Sequence, residues 1–337
     1  MDKLTVSKSI RAGLERVLDG DPSALVIGED LRDPYGGAFR LTRGLSDQFP
    51  GRVINTPISE AAVVGLAAGL ALRGLRPVVE IMFGDFLTLA ADQIVNHIAK
   101  FSWMYNGAVS VPLVIRAPMG GGRGYGPTHS QSMERLFFST PGLRLVAPTH
   151  RHDPAALLET AVADPNPVIF IEGKRLYPLE VTAESDAFDI SAARSAYPTA
   201  LLSNAAGEQA DITLVTYGAM LPVVEQALAE MFEEDEVTCE IIAPSEIAPL
   251  DANLIGESAA RTGRLVVAEE GPASWGWGAE VIARVAERWG DRLRARPARV
   301  AGRDLPLPTA RPLEDHVLPG KADVRKAIET VMLEGQA

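Results

Sequence analysis

The chain has 337 residues, 47% hydrophobic and 23% charged, with 44 acidic against 32 basic side chains and a formal net charge of -12. This balance is wrong for a disordered chain and suits a packed α/β enzyme, and the length predicts two domains of ordinary size. The acidic excess and the lack of a Lys/Arg block argue against nucleic acid; residues 1–11 lack a signal-like apolar run and no run reaches the ~20 residues of a bilayer span, so the expected location is cytoplasmic.

In chain order, a β-rich run at 25–27 leads into Gly28-Glu29-Asp30. A short strand at 53–55 is followed by Thr56-Pro57-Ile58-Ser59-Glu60, which stands directly before an apolar helix over 61–72. A strand at 77–82 precedes a helix over 86–100, and a strand at 112–116 precedes a glycine-rich loop over 120–131. Strands at 143–147 and 168–171 flank a helix over 154–163. This alternation predicts a mostly parallel sheet covered on both faces. Periodicity fades to about residue 209, which reads as a domain connection. Strands then recur at 212–217, 238–242, 264–269 and 298–300, with helices over 221–232 and 279–289. The run 305–312 is extended, and 322–333 closes the chain as a helix.

Groups able to do chemistry collect where predicted strands end: Glu29, Glu60, Asp85, Phe86 and His129. In open α/β sheets ligands bind outside the carboxyl ends of the strands, so the grouping suggests one site. A water-shielded carboxylate needs a partner or a proton, which makes Glu60 the leading catalytic candidate. Its charge state stays open, because a helix N-terminus favours the anion and burial favours the acid. The loop 120–131 has no G-K-[ST] ending and no strand-linked G-x-G-x-x-G pattern, so it reads as flexible backbone delivering His129, which is either a proton-transfer group or an ordinary hydrogen-bonded histidine. His97, His150, His152 and His316 lack metal-ligand spacing, and the serines lack a nucleophile elbow. Cys239 is the sole cysteine. It reads as a small buried hydrophobe, and it excludes intrachain disulfides.

Taken together, Gly28-Glu29-Asp30, Gly37-x-Phe39, Thr56 to Glu60, Gly84-Asp85-Phe86, Asp92-Gln93-Ile94, His129-Ser130-Gln131-Ser132, Pro249-Leu250-Asp251 and Pro312-Leu313-Glu314-Asp315 resemble the β subunit of the thiamine-diphosphate-dependent first component of 2-oxo acid dehydrogenase complexes, a transketolase-like family. The resemblance covers nearly the whole chain. It implies a pyrimidine-binding domain over 1–180, a linker over 181–204 and a smaller transketolase C-terminal-like α/β domain over 205–337. It implies that Glu60 bonds N1′ of the cofactor's pyrimidine, that Phe86 stacks on that ring, and that His129 faces the 2-oxo acid or the acyl acceptor. Glu29 and Asp92 match an acidic chain that runs between two active sites in relatives. Leu113, Ala161, Val162, Asp164 and Asn166 match positions that hold a structural monovalent cation such as K⁺ in some relatives.

The family's diphosphate anchor, Gly-Asp-Gly followed by Asn-Asn, is missing from the sequence. The resemblance therefore implies an α subunit that holds Mg²⁺ and the diphosphate, two of each chain, and a lipoyl-bearing acyltransferase as acyl acceptor. Ala243-Pro244-Ser245 and Glu269-Glu270 depart from the family pattern, which bears on substrate pocket and docking. An acyloin-forming enzyme and a non-catalytic β-like scaffold are the alternatives.

Overall fold

The protein is described here by a computed structural model covering residues 3–334. The chain divides into two compact units, Met1–Met119 with Leu136–Val181, and Gly120–Arg135 with Thr182–Ala337.

In the first unit, α1 (Val6–Gly20), β1 (Ala24–Gly28), α2 (Leu45–Gln48), β2 (Val53–Asn55), α3 (Glu60–Leu72), β3 (Arg76–Glu80), α4 (Phe101–Met104), β4 (Val114–Met119), β5 (Arg144–Val146), α5 (Pro154–Ala163) and β6 (Val168–Gly173) follow one another. The strands lie in the order β5-β6-β4-β3-β1-β2, every pair parallel. All residues of β1 and β4 are buried, as a sheet covered on both faces requires. Helix α5 starts where Asp153 accepts from Ala155 and Ala156 N–H with Pro154 just inside, and α1 starts where Thr5 accepts from Lys8 N–H. These two helices cross at Gly13, where a Cβ would lie 2.9 Å from the Ala155 Cα.

One expectation fails in this unit. The helix read over 86–100 is instead a 3₁₀ turn over Gly84–Ala90 followed by a π turn over Gln93–Ile98. Its tight start accompanies a close approach, since a Cβ on Gly84 would sit 2.3 Å from Met119 Cγ.

The second unit contains β7 (Asp189–Ala193), β8 (Thr199–Ser203), β9 (Ile212–Thr216), α6 (Leu221–Asp235), β10 (Cys239–Pro244), β11 (Glu246–Ala248), α7 (Asn253–Thr262), β12 (Leu265–Pro272), α8 (Trp277–Trp289), β13 (Ala298–Gly302), α9 (Arg311–Val317) and α10 (Lys321–Glu334). Its sheet runs β13-β12-β9-β10-β8-β7. The pairs β7/β8 and β8/β10 are antiparallel and the others parallel. Residues 181–204 are thus not a plain linker: they carry a hairpin that pairs Ile190 with Leu202 and Ala192 with Ala200. Only one side of β8 is buried, at Ala200 and Leu202, which is the half-covered pattern of a strand near a sheet edge. Residues 305–312 are also not wholly extended, because α9 begins at Arg311 with Pro312 in its first turn. The core joins Leu202, Leu214, Leu228, Ile241, Val266 and Ile328 to Cys239, whose free thiol is pushed up by burial. Among the described residues no helix is long and apolar enough to cross a membrane.

Candidate active site

Parallel pairing brings the carboxyl ends of β1, β2 and β3 to one edge, with Gly28 opposite both Asn55 and Glu80. The chain leaving β2 stays on that edge, since Thr56 N–H donates to the Gly28 carbonyl at 2.9 Å. Three residues later it turns into α3, whose first residue is Glu60, 7% exposed. The Glu60 carboxylate makes no hydrogen bond among the described residues. Glu29, the first residue past β1, lies close enough for the two acids to interact. Its carboxyl is raised above the ordinary range, first by burial and then by the charges of Glu60 and Asp30, against the backbone N–H of Ser59. Glu29 Oε1 and Thr56 Oγ1 are buried without a hydrogen-bond partner among the described residues. Such atoms are costly unless a ligand satisfies them.

Phe86 is half-buried in the 3₁₀ turn beyond β3, edge-on to Phe83 at 5.8 Å. Asp92 does not join Glu29 and Glu60. It is exposed, its carboxylate accepts from Asn96 Nδ2 at 2.8 Å, and it lies 3.7 Å from His97 Nδ1. Behind the site stands a buried charge cluster that the sequence reading missed. Arg116 donates to Glu80 at 2.7 Å and to both oxygens of Glu172 at 2.6 and 3.0 Å, and Tyr177 OH adds a bond to Glu172 at 2.6 Å. One guanidinium faces two carboxylates. Burial alone would lower the Arg116 pKa, but Glu172 and Glu80 raise it overall, so it stays cationic. The usable signal was a charge set among buried apolar strand residues: Glu80 after Val78-Val79, Arg116 within β4 and Glu172 within β6.

The positions matched to a monovalent cation are already engaged. Arg76 Nη1 donates to the Val162 carbonyl, and the Leu113 carbonyl accepts from Val168 N–H at 2.9 Å. Asp164 pairs with Arg144 at 2.9 Å and accepts from Asn166 N–H and Nδ2, both at 2.9 Å, while Ala161 is buried within α5. Two guanidinium groups, Arg76 and Arg144, thus reach into this set of positions.

His129 belongs to the second unit, in the loop between β4 and the Met133–Leu136 turn, where its Nδ1 lies 3.0 Å from Thr128 Oγ1. Just beyond it Glu134 is buried and bonded by Tyr217 OH at 2.8 Å, and burial pushes its carboxyl up to about 7. Glu269 in β12 accepts from Trp277 and Gly278 N–H at the head of α8, at 2.7 and 2.9 Å, yet burial also pushes it up to about 7. Glu270 accepts from Gly121 N–H at 2.7 Å. Positions 269 and 270 thus supply two buried carboxylates of this unit.

Comparison with known proteins agrees with this anatomy. Residues 2–180 match the model of the transketolase pyrimidine-binding domain and residues 204–324 that of the transketolase C-terminal domain. The chain is 40% identical over 334 residues to the pyruvate dehydrogenase E1 component subunit beta of Leifsonia xyli, covering 98% of this chain and 94% of that one. It is 34% identical to the acetoin:2,6-dichlorophenolindophenol oxidoreductase subunit beta of Cupriavidus necator, covering 99% of each. A solved split-gene transketolase, an inactive beta4 tetramer, shares the fold at a TM-score of 0.77 and 23% identity, covering 98% of this chain and 99% of that one. A two-unit α/β chain with an acid at the head of α3 is of the transketolase-like class. Within it, the chain belongs to the family of β subunits of thiamine-diphosphate-dependent 2-oxo acid dehydrogenases.

Proposed function

We propose that this chain provides the pyrimidine-binding half of a 2-oxo acid dehydrogenase that decarboxylates its substrate and passes the acyl group to a lipoyl group on a partner. The observation that carries this reading is the buried, unbonded Glu60 at the head of α3, beside the orphaned Glu29 Oε1 and Thr56 Oγ1. These acceptors and the Thr56 hydroxyl fit an aminopyrimidine, which offers ring nitrogen and amino hydrogens. Thiamine diphosphate, when bound, supplies the nucleophilic carbon. Glu60 holds a proton at the ring nitrogen and orients the ring, Glu29 stands beside it as a second acceptor, Phe86 offers an aromatic face, and His129 handles the acyl group.

Among the described residues no cluster of three or more His, Cys, Asp or Glu side chains could hold a metal. In this reading Mg²⁺ and the diphosphate fall to an α subunit, since the Gly-Asp-Gly and Asn-Asn anchor is missing from this sequence, two of each chain assembling in the cytoplasm. The first unit offers a surface for such a neighbour. Past Glu60, helix α3 is apolar throughout yet leaves Gly65, Leu66 and Gly69 exposed, and Ile58, Leu89 and Trp103 are 84%, 58% and 89% exposed. A helix apolar on all sides is normally covered.

The test is reconstitution with an α subunit, thiamine diphosphate, Mg²⁺ and candidate 2-oxo acids. Acylation of a lipoyl domain is expected, and it should be lost in Glu60→Gln while the variant keeps its fold. A hydroxyketone product would point to the acyloin-forming alternative, which the acetoin relative makes the main rival. Undiminished turnover in Glu60→Gln overturns the reading.

A further inference from the structure

The loop 120–131 has positive φ at Gly120, Gly122, Gly124 and Gly126, a backbone few side chains tolerate and one that is costly to order. Turns of this kind point successive N–H groups into a concavity that attracts anions. Here that concavity is filled from within the same unit. Glu314 of α9, fully buried, accepts from Gly122 N–H at 2.8 Å and from Gly124 N–H at 3.3 and 3.1 Å through its two oxygens, beside the Glu270 bond to Gly121. Arg311, one turn earlier in α9, donates to the Gly122 carbonyl at 3.2 Å and pairs with Asp315 at 2.9 Å. The packing leaves no slack: a Cβ on Gly121 would lie 2.8 Å from Leu318, and one on Gly120 2.5 Å from Glu270 Oε1. After His129 the segment is fixed again by the bond from Gly120 N–H to the Gln131 carbonyl at 3.4 Å and by Glu134 on Tyr217. His129 thus hangs on a short span between two anchors, the first made of internal carboxylates.

We propose that Glu314, assisted by Glu270, is a positioning residue for His129: it occupies the glycine nest as an internal anion and sets the imidazole by holding the backbone, without touching substrate. This rests on the acyl-handling role given to His129 above. It also accounts for a glycine-rich loop that carries no phosphate signature, because its donors are already taken.

Two measurements test it. In the full-length chain, Glu314→Gln should speed amide exchange across 120–131 by about tenfold, the scale of one charge-assisted hydrogen bond, with the sheet cores unchanged. Arg311→Ala, which removes an exposed partner of the same loop, should act in the same direction and serves if the Gln variant does not fold. In the enzyme reconstituted with its α subunit, single-turnover acyl transfer should fall in Glu314→Gln and in His129→Ala, and the double variant should be within about twofold of His129→Ala alone. Unchanged loop exchange in both variants, or single effects that multiply in full, overturns the proposal. If His129→Ala leaves acyl transfer untouched, the role given to His129 fails instead, and loop exchange still decides whether Glu314 holds the nest.

Discussion

Glu134 and Glu269 are acids whose folded pKa lies near 7 because burial disfavours the charged form, against an ordinary value of 4.5. Between these two values the folded chain holds protons that the unfolded chain has released. Stability therefore falls as pH rises through this window and levels off above about 7, by at most ~3 kcal/mol per group. Glu134→Gln keeps an acceptor for Tyr217 OH and removes the titration. The expected result is an unfolding midpoint equal to the parent's near pH 4.5 and higher than the parent's at pH 8; thermal scans across that range check it, and a parallel pair of curves would contradict it. Arg116 works the opposite way. Replacing it by Leu leaves Glu80 and Glu172 buried without their cation, which should cost about 3–5 kcal/mol in denaturant unfolding.

At the scale of elements, the strand-to-helix junctions decide where chemistry can sit. Gly28 allows β1 and β3 to close on each other, since a Cβ there would lie 2.6 Å from the Glu80 carbonyl. Gly28→Ala should shift the strand that presents Glu29 and lower both stability and cofactor affinity, measurable by calorimetric titration with the reconstituted enzyme. Much of this level was legible in the sequence. The short run at 53–55 and the helix over 154–163 are where patterning put them, and TPISE marked the head of α3, because a carboxylate before an apolar run is locally conspicuous. What could not be read was set by distant contacts. The 84–98 segment breaks into 3₁₀ and π turns against β4, the 189–203 hairpin finds its partner in β10, and the loop 120–135 clusters with the second unit because Glu270, Glu314 and Tyr217 hold it. Nor does local sequence reveal that Arg76 and Arg144 stand among the presumed cation ligands.

At the scale of the whole molecule, the exposed apolar residues of the first unit predict that the isolated chain self-associates or needs a partner. Trp103→Asp should leave the monomer's circular dichroism intact and weaken assembly with the α subunit, read by sedimentation; assembly of unchanged affinity would remove this face from the interface. The α3 stripe bears on more than assembly. Because the rod that carries Glu60 at its tip is the same rod left bare along its flank, whatever clasps that flank also steadies the aim of the acid. Dilution alone should then silence the enzyme while each protomer is still folded, so that specific activity falls with concentration along a binding curve instead of a melting curve.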